Sequence, residues 1–308
     1  MAALPGDLHV FLAGRPPMAE FITFVKKSAS SGQLEEPAAS DASLADAWRS
    51  AHDHVRQLEE TEAGWADAAA LAALPAAMAP FGDRLLADPV FRRTHSAVPI
   101  EIAMVELDRL IVFQKHINLA HVAIVQRELG AAPDEAAIAR VALGLDRYSP
   151  PVRLTQSHEV FTFVCDSRDF RFLEPTLVPA ELLPSLSCRG QPAQAVVFAV
   201  GFSPNCLTAI QAEGRLVLFN GSHRAYAMRE LGITHLPCVI QKTSRREELE
   251  LIAQKEICQR ADLYLKNPRP PVLKDYFDDR LRRIVPVGRS HRLVRVQLRI
   301  DQSDIPGI

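Results

Sequence analysis

The chain has 308 residues, 48% hydrophobic and 23% charged, which are the proportions of an ordinary globular protein. Lys and Arg number 35 against 37 Asp and Glu, so a net charge of -2 exerts no global pull toward nucleic acid or an anionic membrane surface. No apolar run approaches the roughly 20 residues of a bilayer span, and no basic stretch followed by an apolar one opens the chain.

Five scattered cysteines (Cys165, Cys188, Cys206, Cys238 and Cys258) form no CxxC pair and read as small core residues in a reducing compartment. The expectation is a cytoplasmic protein without membrane contact.

Residues 1–95 read as a mostly helical N-terminal extension. Leu44, Ala47, Trp48, Ala51, Val55 and Leu58 fall on one helical stripe. The preceding segment 28–43 is small, polar and aperiodic, the texture of a mobile surface loop. The Ala-rich stretch 65–81 is broken by Pro75 and Pro80, which predicts two short helices.

From Val98 the texture changes. VPIEIAMVELDRLIVF predicts one or two strands around a turn, and 117–129 has helical spacing that stops at Gly130. EVFTFVCD reads as a strand, AVVFAVGF as a buried strand, and RLVLFN as a strand feeding the helix GSHRAYAMRELG, followed by the strand LPCVIQ. Strand, turn, helix and strand in quick succession give an α+β fold with an α/β-type core. We expect that domain to span 96–242. The remainder, 243–308, is expected to hold one charged helix, a proline-rich segment (Pro268, Pro270, Pro271) and a half-exposed terminal strand, HRLVRVQLRID.

The chemistry concentrates at 219–224, FNGSHR. Gly221 permits a tight turn, Ser222 is a good N-cap, and the backbone N–H groups of the first helical turn suit an anion. His223 and Arg224 add side-chain donors, with Arg224 able to fork onto a phosphate. Gly and Ser at a helix start are also common in proteins that bind nothing, and Arg224 has the alternative of pairing with a carboxylate.

FNGSHRAYAMRELGITHLPCVI resembles the ParB/sulfiredoxin superfamily, whose members carry a Gly-x-[His/Arg]-Arg turn at a helix start followed by a small-residue helix and a strand. Sulfiredoxins have Phe-Gly-Gly-Cys-His-Arg where this chain has Phe219, Asn220, Gly221, Ser222, His223 and Arg224; ParB proteins have Gly-Glu-Arg-Arg followed by Ala. The segment VPIEIAMVELDRLIV is similar to that fold's opening strand region.

The resemblance implies a small mixed sheet with helices, and ATP or CTP phosphates held by Asn220, Gly221, Ser222, His223 and Arg224, with Mg²⁺ arriving only with the nucleotide. Gln114 and Lys115 are expected to reach the nucleotide across the sheet, although of the ParB Gln-Pro-Arg element only the glutamine matches. Glu101, Glu106 and Asp108 stand where kinase-like relatives place an acidic catalytic residue; an exposed strand face accounts for Glu106 and Asp108 equally well. Ser222 replaces the sulfiredoxin cysteine and so removes its thiol chemistry.

Two polar loops, 165–175 and 201–205, stand after strands as binding loops or solvated turns. The histidines form no metal-binding spacing, and no structural metal is expected. Three functions compete on these grounds. The first is a nucleotide-dependent phosphotransferase or NTPase. The second is a non-catalytic accessory or assembly subunit with a protein partner or a second copy of itself. The third is a ParB-like DNA-binding partition or regulatory factor, disfavoured by the balanced charge and by the single helix after Lys242.

Overall fold

The stripes and alternations take shape in a computed structural model that describes residues 7–30, 40–145, 149–167, 170–185, 190, 192–202, 205–287 and 291–303. Strand β1 (Asp7–Leu12) leads to helices α1 (Met18–Ser30) and α2 (Asp41–Thr61), strand β2 (Leu71–Ala72) and helices α3 (Ala79–Ala87) and α4 (Pro89–Thr94). Strands β3 (Ile100–Glu106), β4 (Ile111–Val112) and β5 (His116–Asn118) precede helices α5 (Leu119–Leu129) and α6 (Glu135–Leu143). Next come β6 (Arg153–Ser157), β7 (Val160–Cys165), β8 (Phe170–Val178) and β9 (Ala195–Phe202).

The hairpin of β10 (Thr208–Ala212) and β11 (Arg215–Asn220) feeds helix α7 (Ser222–Glu230) and strand β12 (His235–Lys242). Short helical turns at Leu249–Ile252, Lys255–Gln259 and Ala261–Leu265 follow, then β13 (Arg282–Val287) and β14 (Arg292–Gln297). The protein is α+β. Among the described residues no helix is long and apolar enough to cross a membrane.

The chain divides into a larger unit of residues 1–146 with 204–289 and a smaller one of 147–203 with 290–308. These boundaries differ from the three consecutive segments expected. The N-terminal segment is woven in rather than appended, because β1 lies between β13 and β5 in a three-stranded sheet. The segment 147–203 interrupts what reads in the sequence as one continuous domain.

In the larger unit a six-stranded mixed sheet runs β2-β3-β12-β10-β11-β4. Alternation along β11 sends Leu216 and Leu218 into the main core with α5 and α7 residues such as Val122 and Ala225, and Val217 to the opposite face, where Leu249, Ile257 and Tyr264 cover it. The α2 stripe buries Leu44, Ala51 and Val55, as its spacing predicts.

Three local expectations change. The first Ala-rich helix is replaced by turns and β2, whose Leu71 and Ala72 pair with Val105 and Met104 on the sheet edge. The single charged helix after 243 is interrupted by extended backbone at Ala253 and Gln254. The loop expected near 28–43 falls partly within α1 and α2, and its middle, 31–39, lies outside the described residues.

The proline-rich segment is anchored by charge. Arg269 is fully buried and donates to Asp275 (2.6 and 3.2 Å), to Glu62 (2.9 Å) and to the Pro270 carbonyl (2.8 Å). Lys274 joins Glu62 at 2.9 Å. Burial acts to raise the Glu62 carboxyl, but hydrogen bonds from Lys274 and Arg269 outweigh it and hold the group below its ordinary 4.5.

A depressed carboxylate contributes stability that is whole above the unfolded value and lost as pH falls through the folded one. In urea titrations from about pH 5 toward pH 3, the unfolding midpoint of the wild type should therefore fall more steeply than that of Glu62→Gln. Parallel curves would remove the carboxylate from this account.

In the smaller unit, β7 pairs with both β6 and β14, so the terminal strand finds its place beside β7. Strands β8 and β9 form a separate two-stranded ribbon. Sequence alone reads AVVFAVGF as buried, yet Val196 is 50% exposed and Val197 and Phe198 nearly as much; among the described residues β9 hydrogen-bonds only to β8.

Candidate functional site

Strand β4 runs parallel to β11, with Ile111 opposite Val217 and Val112 opposite Leu218. Residues 113–115 and 219–221 consequently leave the sheet at the same end, and the rings of Phe113 and Phe219 stack at 6.5 Å. The backbone then turns at Gly221, which has φ +94 and is itself the helix N-cap. Ser222, expected as the cap, is the first helical residue, is buried, and makes no capping hydrogen bond.

The close approach that Gly221 permits comes from the protein itself. A Cβ there would lie 2.6 Å from Leu207 Cδ1 and 3.1 Å from an Arg224 Nη atom.

Arg224 corrects the sequence expectation most. It is 7% exposed, and its guanidinium donates to the carbonyls of Val141 (3.1 Å), Ala142 (3.2 Å) and Asn205, and to the Asn205 side chain (2.8 Å). Val141 and Ala142 lie in the last turn of α6, where carbonyls have no intrahelical partner. The fork foreseen for a phosphate closes a helix C-terminus instead. Asn220 serves the same junction, donating to the Cys206 carbonyl at 3.1 Å.

What faces outward at the turn is His223, half-buried, edge-on to the exposed ring of His121 with centroids 5.1 Å apart. His121 sits in the first turn of α5, where Asn118 caps its N–H at 3.1 Å. Two helix N-termini therefore meet, each bringing an imidazole and the positive end of a dipole. The sequence signal for His121 was the cap itself, Asn118 three residues before it.

The other expected residues are brought elsewhere. Lys115 binds Glu20 (2.5 Å) and Glu256 (3.2 Å); burial opposes its charge, and these hydrogen bonds more than restore it, raising its pKa. The Gln114 side-chain amide donates to the His116 carbonyl at 3.2 Å, and the Gln114 backbone carbonyl accepts from the Tyr276 hydroxyl.

Of the acids, Glu101 pairs with Lys242, Glu106 with Arg109 at 2.8 Å, and Asp108 grips Arg229 in two bonds of 2.7 and 3.0 Å. Strand β3, which holds Glu101 and Glu106, lies three strand spacings from β11, roughly 14 Å. Arg229 lies at the far end of α7 from Gly221, and Asp108 with it. None of these three acids is brought to the turn. Among the described residues, the turn shows donors suited to an anion and no carboxylate suited to a metal ion.

The two polar loops are only partly described: Arg168 and Asp169, and Ser203 and Pro204, lie outside the described residues, as does Cys188. Comparison of the chain with protein-family models, with curated proteins and with solved structures finds no match.

Proposed function

We propose that the protein binds a nucleotide, ATP or CTP, with its phosphates at the start of α7, in the manner of the ParB/sulfiredoxin proteins that the FNGSHR turn resembles. The observation that carries this reading is the meeting of the α7 and α5 N-termini with His223 and His121 side by side. Backbone N–H groups at a helix start favour an anion, and two imidazoles able to carry charge strengthen that preference. The role given to Arg224 narrows: it stiffens the floor of the site through α6.

Turnover is not part of the proposal, since Glu101, Glu106 and Asp108 are engaged elsewhere. The buried free thiols of Cys165 and Cys238 fit a reducing cytoplasm. Calorimetry of the full chain with ATP and with CTP, each with and without Mg²⁺, should show one nucleotide binding without the metal, weakened roughly tenfold in His223→Ala. Binding of neither nucleotide would overturn the reading.

A second reading, an accessory subunit that docks a protein partner, rests on the exposed apolar β8–β9 ribbon, because a two-stranded ribbon alone is marginally stable. Co-purification of a stoichiometric partner, lost on Val197→Lys, would support it.

A further inference from the structure

Strand β9, AVVFAVGF, has eight residues and neither a charge nor a proline among them. Its only hydrogen-bonded strand among the described residues is β8. Alternation sends Val196 and Phe198 to one face and Val197 to the other, and all three are between 40% and 50% exposed.

Its neighbour β8 is guarded. Arg171, Glu174 and Pro175 interrupt the apolar residues of β8. A bulge leaves Leu173 unpaired between Phe172, opposite Val200, and Glu174, opposite Ala199. Charges, prolines and bulges are the devices that keep a strand edge from recruiting another strand. At its start β8 is also tied to the other sheet of the smaller unit. The Phe170 carbonyl accepts from Arg292 of β14 at 3.3 Å, and the Phe170 ring stands 6.5 Å from that of Phe163 in β7. The ribbon is thus anchored at β8, and β9 is its outer, unguarded strand.

An outer strand presents a row of backbone N–H and C=O groups to a strand from elsewhere. The chemistry of β9 fits its own copy. When a strand meets itself antiparallel about a two-fold axis, each charge it carries lies beside its own sign or an apolar group. Along all eight residues β9 is free of that cost, whereas β8 is not. The pairing is closed, since both open edges vanish together and two marginal ribbons become one four-stranded sheet. The two-fold axis keeps Val196 and Phe198 of both copies on one face of that sheet and Val197 of both on the other.

We propose that the protein associates with a second copy of itself through β9, strand to strand. This surface is the ribbon of the accessory-subunit reading, now given one partner, and it uses no residue of the α7 turn.

The test is sedimentation velocity of the purified full chain over a wide range of concentration, joined to amide hydrogen exchange. A monomer–dimer equilibrium should appear, and exchange over 195–202 should slow as the dimer fills. Val197→Lys should keep the circular dichroism of the wild type and raise the dissociation constant roughly tenfold or more, because its ammonium enters the sheet beside its own copy. Val196→Lys, on the opposite face, should do the same and stands in if Val197→Lys fails to fold.

Nucleotide titrations should be unchanged in Val197→Lys, so failure of the nucleotide reading leaves this surface intact. A chain that stays monomeric throughout would overturn the proposal. So would a dimer undiminished in folded Val197→Lys or Val196→Lys, or one that leaves exchange over 195–202 unslowed. A purified chain that is monomeric alone but pairs with a different protein through Val197 would favour the accessory-subunit reading and overturn self-association.

Discussion

Asp275→Ala should lower the unfolding free energy by about 3–5 kcal/mol, the usual cost of removing one partner from a buried ion pair. Asp275 is 1% exposed and Arg269 is fully buried, so after the substitution neither water nor another acid can replace the lost carboxylate. The same carboxylate accepts the Val272 N–H at 3.1 Å, fixing the short helical turn Leu273–Phe277. It is also the nearest counter-charge to buried Arg15. Two cations would be left in the interior with only Glu62 near Arg269. Urea unfolding followed by circular dichroism measures the effect; a loss below about 1 kcal/mol would mean that the pair is not desolvated as described.

Arg224→Ala should cost roughly 2–4 kcal/mol, because it strips donors from buried carbonyls at a helix end, of which Ala142 alone keeps a second donor, the Leu207 N–H at 2.7 Å. The carbonyls of Val141, Ala142 and Asn205 are all served by this one side chain, at the place where α6 ends and residues 205–207 lie against it. Gly144 marks how tight that junction is: a Cβ on it would lie 2.3 Å from the Asn205 carbonyl oxygen. Arg224→Lys should recover only part of the loss, since one ammonium cannot span acceptors arranged for a planar fork. The decisive contrast is with nucleotide binding. A variant of unchanged stability that loses only nucleotide affinity would restore Arg224 to the phosphate and sink the structural role.

That residue also shows where sequence reading stops. The turn at 219–224, the strand before it and the helix after it are legible because Gly221, the apolar run 216–219 and the helical spacing are local signals. Whether an arginine at a helix start meets a phosphate or a helix end 83 residues earlier is a long-range fact, invisible in the local pattern. The acids mislead for a related reason. Their nearness to the domain's start is real, but sheet order separates β3 from β11, and Arg229 draws Asp108 to the wrong end of α7.

AVVFAVGF fails differently: an uninterrupted apolar run fits a covered strand, and nothing within it reports that β8 is its only hydrogen-bonded strand among the described residues.

The pairing of β14 with β7 has a consequence for the order of events during synthesis. His291 and Asp166, which meet at 2.6 Å, are 125 residues apart in the chain, and the stretch between them contains β10, β11, α7 and β12 of the larger unit. When β7 leaves the ribosome it has only β6 beside it, and the third strand of its sheet arrives after most of the other unit has already emerged. Until then one apolar edge of β7, VFTFVC, is open to any passing strand, so the growing chain is most prone to mispairing in that interval.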